Sequence, residues 1–316
     1  MKEFQRSFQP IQFQVQQEQQ AGREETVDWG SAEWGTHRHL VRQLMEHSME
    51  LLSVKDKAVV LGAGTHGDVD LPDLANRFVE VTVLDTEANA IEEVLGPGSS
   101  APISGKLNSL TNVDYTCLDQ IQFYETWEEM LLNEAPAEEV AAYIKDCAFR
   151  VRHRDALPQW KRSFSLAVSS SVHTQLFYIH ALSQFAGYAD QYGPDGVPQI
   201  IGALQFLRNS LVTGYNRMLT SLLKPDGRLV VWTDMIRLEE HNRALLEQLY
   251  GMRSEEERTR FLFRAFGQYG TEAAVLGMKD LQEKLNPFGQ LFKCWVWSTE
   301  TDKQYIAAGF SSGIRA

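Results

Sequence analysis

An apolar run followed by a glycine-rich turn is the segment of this chain best suited to ligand chemistry. Residues 58–61 read Ala-Val-Val-Leu, the composition of a strand buried on both faces, and the turn that follows contains Gly62, Ala63 and Gly64. Glycine adopts positive φ and has no Cβ, so the backbone of such a turn can approach a ligand closely. The segment predicts a nucleotide-like ligand at the carboxyl end of a buried strand.

A second apolar run, residues 81–84, ends in an acidic residue. Asp85 and its neighbour Thr86 would then lie at the tip of a strand beside the glycine turn. A carboxylate at that position can accept hydrogen bonds from both hydroxyls of a ribose. Together the two strand ends predict a ligand that contains adenosine.

The acidic residues after the turn argue against a dinucleotide, although the glycines match the spacing GxGxxG. Pro72 favours a helix that starts near Leu71, and three carboxylates surround that start: Asp68, Asp70 and Asp73. They would repel a pyrophosphate, whereas a ligand that carries an ammonium and a sulfonium would be tolerated or attracted there. Capping of the helix by Asp70 and Asp73 is the structural alternative.

Two later segments resemble class I S-adenosylmethionine-dependent methyltransferases. Residues 222–235, LLKPDGRLVVWTDM, are similar to the turn and fifth strand of that family. Residues 291–298 and 303–310 are typical of two strands joined by a short turn, as in the hairpin that closes the methyltransferase sheet. The resemblance covers residues 55–316. It implies S-adenosyl-L-methionine as the cofactor and an α/β fold, a doubly wound Rossmann-like sheet with a C-terminal antiparallel hairpin and helical insertions.

The resemblance also implies roles for individual residues. Gly62 and Gly64 match the glycines of the first motif, whereas His66 stands where many members have a third glycine. Asp85 matches the acidic residue that holds the ribose. Asp119 matches the acidic residue after the third strand that meets the adenine amino group. A solvated loop acid or a helix cap is the alternative role for Asp119.

The fourth strand, within residues 163–176, resembles a segment of small-molecule methyltransferases, with Ser165 in place of the usual aspartate. Ser169 and Ser170 would lie at the carboxyl edge of the sheet and contact the cofactor or the acceptor, unless they cap the next helix. His173 follows at the start of that helix. It could remove a proton from the acceptor during catalysis, or it could simply be a polar residue at the sheet edge.

The segment that precedes the first strand of the sheet could cover the cofactor. Trp29 and Trp34 are each followed by glycine, and Arg38 comes shortly afterwards. As a lid, the segment would pair Arg38 with the methionine carboxylate and close the apolar side of the pocket with Trp34. Alternatively, both tryptophans anchor the N-terminal segment on the core.

The chain divides by pattern into an N-terminal segment with an arm helix and one large domain. The predicted ranges are 1–54 for the segment, with its helix at 33–53, and 55–316 for the domain, with helical insertions at about 120–160 and 236–288. Residues 96–109 have the composition of a flexible connection. A chain of 316 residues fits this organisation.

Composition restricts the partners and the compartment. The formal charge of −12, from 42 acidic and 30 basic residues, argues against a nucleic-acid acceptor. No apolar stretch approaches the length of a membrane span, and the three cysteines are isolated, so we expect a cytoplasmic protein without a disulfide framework. No histidine has a defensible metal-ligand spacing, and no catalytic metal is predicted.

The sequence therefore predicts methyl transfer from S-adenosyl-L-methionine to a small-molecule acceptor by direct displacement. Transfer of the aminocarboxypropyl group from the same cofactor is one alternative, and a non-catalytic methyltransferase-like binding domain is another. An NAD-linked oxidoreductase is the least favoured of the readings. The expected partners are the small-molecule acceptor and a second copy of the chain in a homodimer, and neither nucleic acid nor a membrane.

Overall fold

The structure, a computed structural model, describes residues 12–13, 29–62, 68–85, 105–298 and 303–315. Its centre is an eight-stranded sheet, in which seven strands have four residues or more and the edge strand β1 has two. The strands are β1 (Gln12–Phe13), β2 (Lys57–Leu61), β3 (Glu80–Leu84), β4 (Leu107–Leu110), β5 (Phe164–Ser170), β6 (Leu223–Leu238), β7 (Leu291–Ser298) and β8 (Gln304–Gly313).

The strand order β1-β7-β8-β6-β5-β2-β3-β4 confirms the predicted fold. Strands β4, β3, β2, β5 and β6 are parallel, and the chain reverses its direction of winding between β2 and β5. Strand β8 is antiparallel to both β6 and β7, which is the predicted C-terminal hairpin. In a doubly wound sheet, ligands bind outside the carboxyl ends of the strands at the point of reversal, here between β2 and β5.

The register of the central strands brings the predicted site residues to one edge. Leu61 at the end of β2 is opposite Leu84 of β3 on one side and Ser169 of β5 on the other. Residues 58–61 are fully buried, as the apolar composition of the run predicts. The residues that follow these three in the chain therefore lie together at the carboxyl edge of the sheet. They are Gly62, Asp85 and Ser170.

Helices cover both faces of the sheet and form an additional helical layer. They are α1 (Trp29–Leu51), α2 (Leu71–Arg77), α3 (Phe123–Leu132), α4 (Ala137–Val151), α5 (Tyr178–Ala186), α6 (Gly193–Leu222), α7 (Ala244–Gly251), α8 (Glu255–Tyr269) and α9 (Glu272–Lys284). Helix α1 packs on β6, β7 and β8, while α6 and α9 lie against the sheet and each other. No helix in the described ranges is both long enough and apolar enough to span a membrane.

Helices α3, α4 and α5 pack with α6 around a third apolar core, in addition to the two on the faces of the sheet. That core includes Phe123, Trp127, Ile144 and Leu204, all of them fully buried. Both ranges predicted as helical insertions contain helices, α3 and α4 in the first and α7 to α9 in the second. The division into an N-terminal segment and one domain stays a prediction.

One sequence-based expectation about the sheet is wrong. Residues 107–110, which fall mostly within the predicted flexible connection, form β4 and pair in parallel with β3. The strand was missed because it reads Leu-Asn-Ser-Leu and lies at the sheet edge, where three of its four residues are exposed. An edge strand with little buried surface has no apolar run to reveal it.

Candidate active site

Gly62 joins three strand ends at the carboxyl edge of the sheet. Its φ is +68°, and its N–H donates to the carbonyl of Leu84 at 3.0 Å. A Cβ at this position would lie 2.6 Å from Cγ2 of Val172 and 2.7 Å from the carbonyl oxygen of Ser170. Only glycine tolerates both the left-handed conformation and this approach. Residues 63–67 of the glycine turn, which include Ala63, Gly64 and His66, lie outside the described residues.

Asp85 follows β3 directly and is 5% exposed. Its backbone is held on both sides, since its N–H donates to Leu110 at 3.1 Å and its carbonyl accepts from Val113 at 3.2 Å. This fixes the residue at the edge where the sequence places a ribose-binding carboxylate. Thr86 lies outside the described residues.

The helix after the glycine turn begins where the sequence predicts. Helix α2 starts at Leu71, and Oδ1 of Asp70 accepts the N–H of Asp73 at 2.9 Å, so the capping role of Asp70 is confirmed. Asp68 has a different position. Its Oδ2 accepts the hydroxyl of Ser170 at 3.2 Å and lies 3.5 Å from Nε2 of His37. Its Oδ1 is buried and has no hydrogen-bond partner among the described residues.

The two predicted serines of the fourth strand point to different partners. The hydroxyl of Ser169 is fully buried and lies 2.8 Å from the hydroxyl of Tyr215 on α6, so it is used inside the protein. Ser170 donates to Asp68 and thereby links the end of β5 to the segment after the glycine turn. Of the two, Ser170 is the one placed beside the candidate cofactor site.

His173 is buried and has a defined hydrogen-bond partner. Its Nε2 lies 2.7 Å from Oδ1 of Asn216, whose Nδ2 donates to the carbonyl of Gly277 and to Oδ2 of Asp280, both at 2.8 Å. Because the amide nitrogen of Asn216 makes those two bonds, its Oδ1 is the acceptor and Nε2 of His173 carries the proton. Burial lowers the pKa of His173, which favours the neutral ring. Its Nδ1 then presents a lone pair and has no partner among the described residues.

Asp119 is exposed and begins a short 3₁₀ helix, Asp119–Ile121, nine residues beyond the end of β4. Its N–H donates to Oδ2 of Asp114 at 3.0 Å, so Asp114 organises this connection. Desolvation of its carboxyl group, together with the nearby charges of Asp114 and Glu125, raises the pKa of Asp119. The role of Asp119 toward adenine stays a prediction.

Ser165, which stands in place of the usual aspartate, lies near the amino end of β5, at the opposite end of the strand from the carboxyl edge. Its hydroxyl donates to Oδ1 of Asp56, and the other oxygen of Asp56 is paired with Lys224. A carboxylate is therefore present at the start of β5, supplied by a different part of the chain. The substitution is remote from the residues at 62, 85 and 170.

A buried polar cluster beside the carboxyl edge of the sheet was not predicted. Nδ1 of the fully buried His37 accepts from Nε1 of Trp295 at 2.9 Å, and its ring packs on Trp297 with centroids 4.5 Å apart. Nε1 of Trp297 donates to Oδ1 of Asp234 at 2.8 Å. Burial raises the pKa of Asp234 to about 6. The position of Asp234 near the carboxyl end of β6 is the feature of the sequence that could have predicted this cluster.

Arg38, next to His37 on α1, is exposed and lines an open groove of about 470 Å³ between α1 and α2. Asp68 and Asp70 lie on the other side of this groove. The side chains of Trp29 and Trp34 lie outside the described residues, so the lid and the anchor both remain predictions for them. Within the described ranges, no three His, Cys, Asp or Glu side chains come together as a metal-binding group.

No protein-family profile and no curated protein matches the chain. The N-methyltransferase NodS from Bradyrhizobium japonicum WM9 is similar in structure, with 13% identity over 88% of this chain and 97% of its own and a TM-score of 0.40. The same protein in complex with S-adenosyl-L-homocysteine gives 12% identity, coverages of 87% and 86% and a TM-score of 0.37. A possible exported protein from Bordetella parapertussis has 11% identity over 89% of this chain and 68% of its own, with a TM-score of 0.40.

At these identities and TM-scores the likeness carries no argument about activity, and the assignment of the fold rests on the sheet itself. Its strand order, its reversal between β2 and β5 and its C-terminal hairpin are those that the sequence predicts. The chain therefore has a doubly wound α/β fold with a C-terminal antiparallel hairpin, which is the fold that the resemblance in the sequence implies.

Proposed function

We propose that the protein binds S-adenosyl-L-methionine at the carboxyl edge of β2 and β3 and transfers its methyl group to a small-molecule acceptor. The observation that carries the proposal is the geometry of Gly62 and Asp85. The glycine has a left-handed conformation at the end of β2, and the carboxylate follows β3 at the same edge, beside the point where the sheet reverses. A nucleoside is bound in this way in doubly wound folds.

The acceptor atoms near this edge fit the charges of that cofactor. Oδ1 of Asp68 is buried without a hydrogen-bond partner in the described part of the chain, and an ammonium group would satisfy it. Asp85 is an acceptor-only carboxylate, which suits the two hydroxyls of a ribose. A pyrophosphate would meet Asp68 and Asp70 with the wrong sign of charge, which is why NAD is disfavoured.

The bound cofactor supplies a methyl group that its sulfonium already activates, so the protein has mainly to align the acceptor and exclude water. Asp85 and Asp68 would orient the two ends of the cofactor. His173 would receive the proton of an acceptor hydroxyl or amine at Nδ1, while Nε2 stays bonded to Asn216. Arg38, on the exposed side of α1, is the candidate partner for the methionine carboxylate.

Calorimetric titration with S-adenosyl-L-homocysteine tests the cofactor site, with NAD as the comparison ligand. We expect S-adenosyl-L-homocysteine to bind and NAD not to bind. Asp85→Ala should weaken binding by about 1.5–3 kcal/mol, the usual contribution of hydrogen bonds to a charged group. Asp226→Ala, which removes an exposed carboxylate near the amino end of β6, is the matched control and should change nothing. Binding of NAD alone would contradict the proposal.

The products formed from the cofactor separate methyl transfer from its alternatives. Incubation of S-adenosyl-L-methionine with the enzyme and a pool of small metabolites should release S-adenosyl-L-homocysteine, detected by mass spectrometry. Release of methylthioadenosine would instead indicate aminocarboxypropyl transfer. Binding with neither product would indicate a non-catalytic domain, a reading to which the Ser165–Asp56 pair, remote from the site, gives no support.

A further inference from the structure

A cavity of about 310 Å³ lies on the far side of the segment that contacts Gly62. Val172, whose Cγ2 approaches the glycine turn, begins a short helical segment, Val172–Thr174, and the next two residues, His173 and Thr174, form part of the cavity wall. Residues of α6 and of the first turn of α9 also line the cavity. The cavity and the candidate cofactor site therefore share one wall.

The cavity contains a buried cation with an incomplete set of partners. Arg208 on α6 lines it, and the Arg208 side chain is only 8% exposed. Nε and Nη2 donate to Oδ1 of Asn209 at 3.1 and 3.0 Å, and the guanidinium lies over the ring of Tyr178, 4.7 Å from its centroid. Nη1 has no hydrogen-bond acceptor among the described residues.

The only carboxylate paired with Arg208 in the described ranges is itself exposed. Glu272 contacts Nη2, but its side chain is 65% exposed, so it can move into solvent at little cost. A buried guanidinium without a carboxylate is costly, so Arg208 favours a carboxylate partner, and a ligand that displaces the exposed Glu272 would gain a charge-assisted pair in exchange for a weak one.

The first turn of α9 adds positive potential at the same place. Helix α9 has 13 residues, and Thr271, Glu272 and Ala273 at its start all line the cavity. Thr271, the N-cap residue, makes no side-chain capping hydrogen bond. The N–H groups in the first turn of a helix favour an anion, and the residues of this turn line the same cavity as Arg208.

The rest of the cavity wall is mainly apolar. It includes Leu176, Phe177, Leu211 and Ala273. An inorganic anion would leave these side chains without a partner, whereas an organic anion would cover them. The volume is at the lower end of the range for small-molecule sites, so the ligand must be small.

We infer that this cavity is the acceptor site and that the acceptor is a small carboxylate with an apolar body, paired with Arg208 in place of Glu272. The part of this inference that concerns an acceptor rests on the proposed function. The carboxylate would lie between Arg208 and the start of α9, and the apolar body would extend toward the wall that contains His173, next to the candidate cofactor site.

Ligand-detected NMR titrations test the inference with four probes. Benzoate and hexanoate carry the carboxylate, while benzamide and hexanamide have the same shape without the charge. We expect at least one of the acids to bind about tenfold or more tightly than its amide, as the loss of a charge-assisted hydrogen bond implies. Equal binding of acid and amide, or no binding of either acid, would overturn the inference. Inorganic phosphate binding as tightly as the acids would also overturn it, because the apolar wall would then contribute nothing.

Three variants assign the binding to these residues. Glu272→Gln should increase the affinity for the acids severalfold, because it removes the carboxylate that competes for Arg208. Glu283→Gln removes an exposed carboxylate near the other end of α9 and should leave binding unchanged. Arg208→Met should lower the affinity for the acids by about tenfold or more. If Arg208→Met fails to fold, Glu272→Gln decides alone, and unchanged affinity in that variant would contradict the inference.

Titration of the same variants with S-adenosyl-L-homocysteine separates this inference from the proposed function. Normal cofactor binding with no affinity for the acids would overturn the acceptor assignment and leave the cofactor site intact. Binding of the acids that depends on Arg208, without any cofactor binding, would retain the anion site but overturn its role as an acceptor site.

Discussion

Nε2 of His173 lies 2.7 Å from Oδ1 of Asn216, and this contact decides which nitrogen of the histidine is protonated. Asn216 is itself held by the carbonyl of Gly277 and by Asp280, so the tautomer is set by α6 and α9 together. A Cβ on Gly277 would lie 2.3 Å from Cδ2 of the His173 ring, which shows how closely α9 approaches it. The free Nδ1 lone pair is thus a product of three separate elements.

His173→Ala tests the role of that lone pair. We expect turnover to fall by about 100-fold or more, the usual contribution of a general base, while the affinity for S-adenosyl-L-homocysteine stays nearly constant. His180→Ala, which removes an exposed histidine from α5, is the control. Equal losses of turnover and cofactor affinity would make His173 a structural residue.

The protonation state of His173 can be measured directly by ¹⁵N NMR of the histidine rings. We expect the proton on Nε2 and a pKa below the ordinary value of 6.5, because burial disfavours the charged ring. Since the folded-state pKa is lowered, the stabilising contribution of the neutral ring is complete above pH 6.5 and is lost as the pH falls below that value. A pKa at or above 6.5 would contradict this description of the site.

Gly62→Ala should destabilise the fold, because the methyl group would meet Val172 and Ser170 and would force alanine into the left-handed region. We expect a loss of about 2–4 kcal/mol in the free energy of unfolding, measured by chemical denaturation. Gly202→Ala is the matched control, because Gly202 lies exposed within α6 with no atom within 4 Å of the added Cβ. That variant should be neutral or stabilised by up to about 1 kcal/mol. Equal effects of the two substitutions would show that the glycine turn differs from this description.

Asp234→Asn should change how stability depends on pH. Burial raises the pKa of Asp234 from 3.8 to about 6, with Trp297, His37, Asp68 and Tyr305 as the groups that face it. Because the folded-state pKa is raised, the contribution of the protonated acid is complete below pH 4 and is lost as the pH rises through about 6. Two pKa units correspond to about 3 kcal/mol. Asparagine can still accept from Trp297 and does not titrate.

Denaturation of the wild type and of Asp234→Asn at pH 4, 6 and 8 measures this effect. The stability of Asp234→Asn relative to the wild type should increase from pH 4 to pH 8. Parallel curves for the two proteins would mean that Asp234 titrates normally and that the cluster around it is accessible to water.

His37 and Arg38 are neighbours on α1, but His37 is buried and Arg38 is exposed. Substitutions of the two residues therefore distinguish an anchoring role of α1 from a role in cofactor binding. His37→Ala should lower the melting temperature, since it removes a buried hydrogen bond to Trp295 and the contact with Trp297. Arg38→Ala should leave the melting temperature unchanged, because the side chain is exposed, and should weaken S-adenosyl-L-homocysteine if Arg38 pairs with the carboxylate. Unchanged cofactor affinity in Arg38→Ala would remove Arg38 from the site and leave α1 as an anchor.

The sequence by itself determined the parts of the fold that depend on local pattern. The apolar run at 58–61, the start of α2 at Leu71 with Asp70 as its cap, and the C-terminal hairpin all follow from burial and capping preferences of nearby residues. Gly62 and Asp85 could be found for the same reason, because each ends a buried strand.

Only the tertiary structure decided what depends on residues far apart in the chain. The edge strand β4 gains its hydrogen bonds from β3 and has no apolar pattern of its own. The hydroxyl of Ser169 turns to Tyr215, and the tautomer of His173 is set by Asn216, which lies 43 residues away. No motif in the sequence marks Arg208, and its burial beside the start of α9 follows from how the helices pack. Local propensity cannot encode such contacts, because their energies exist only when both partners are in place.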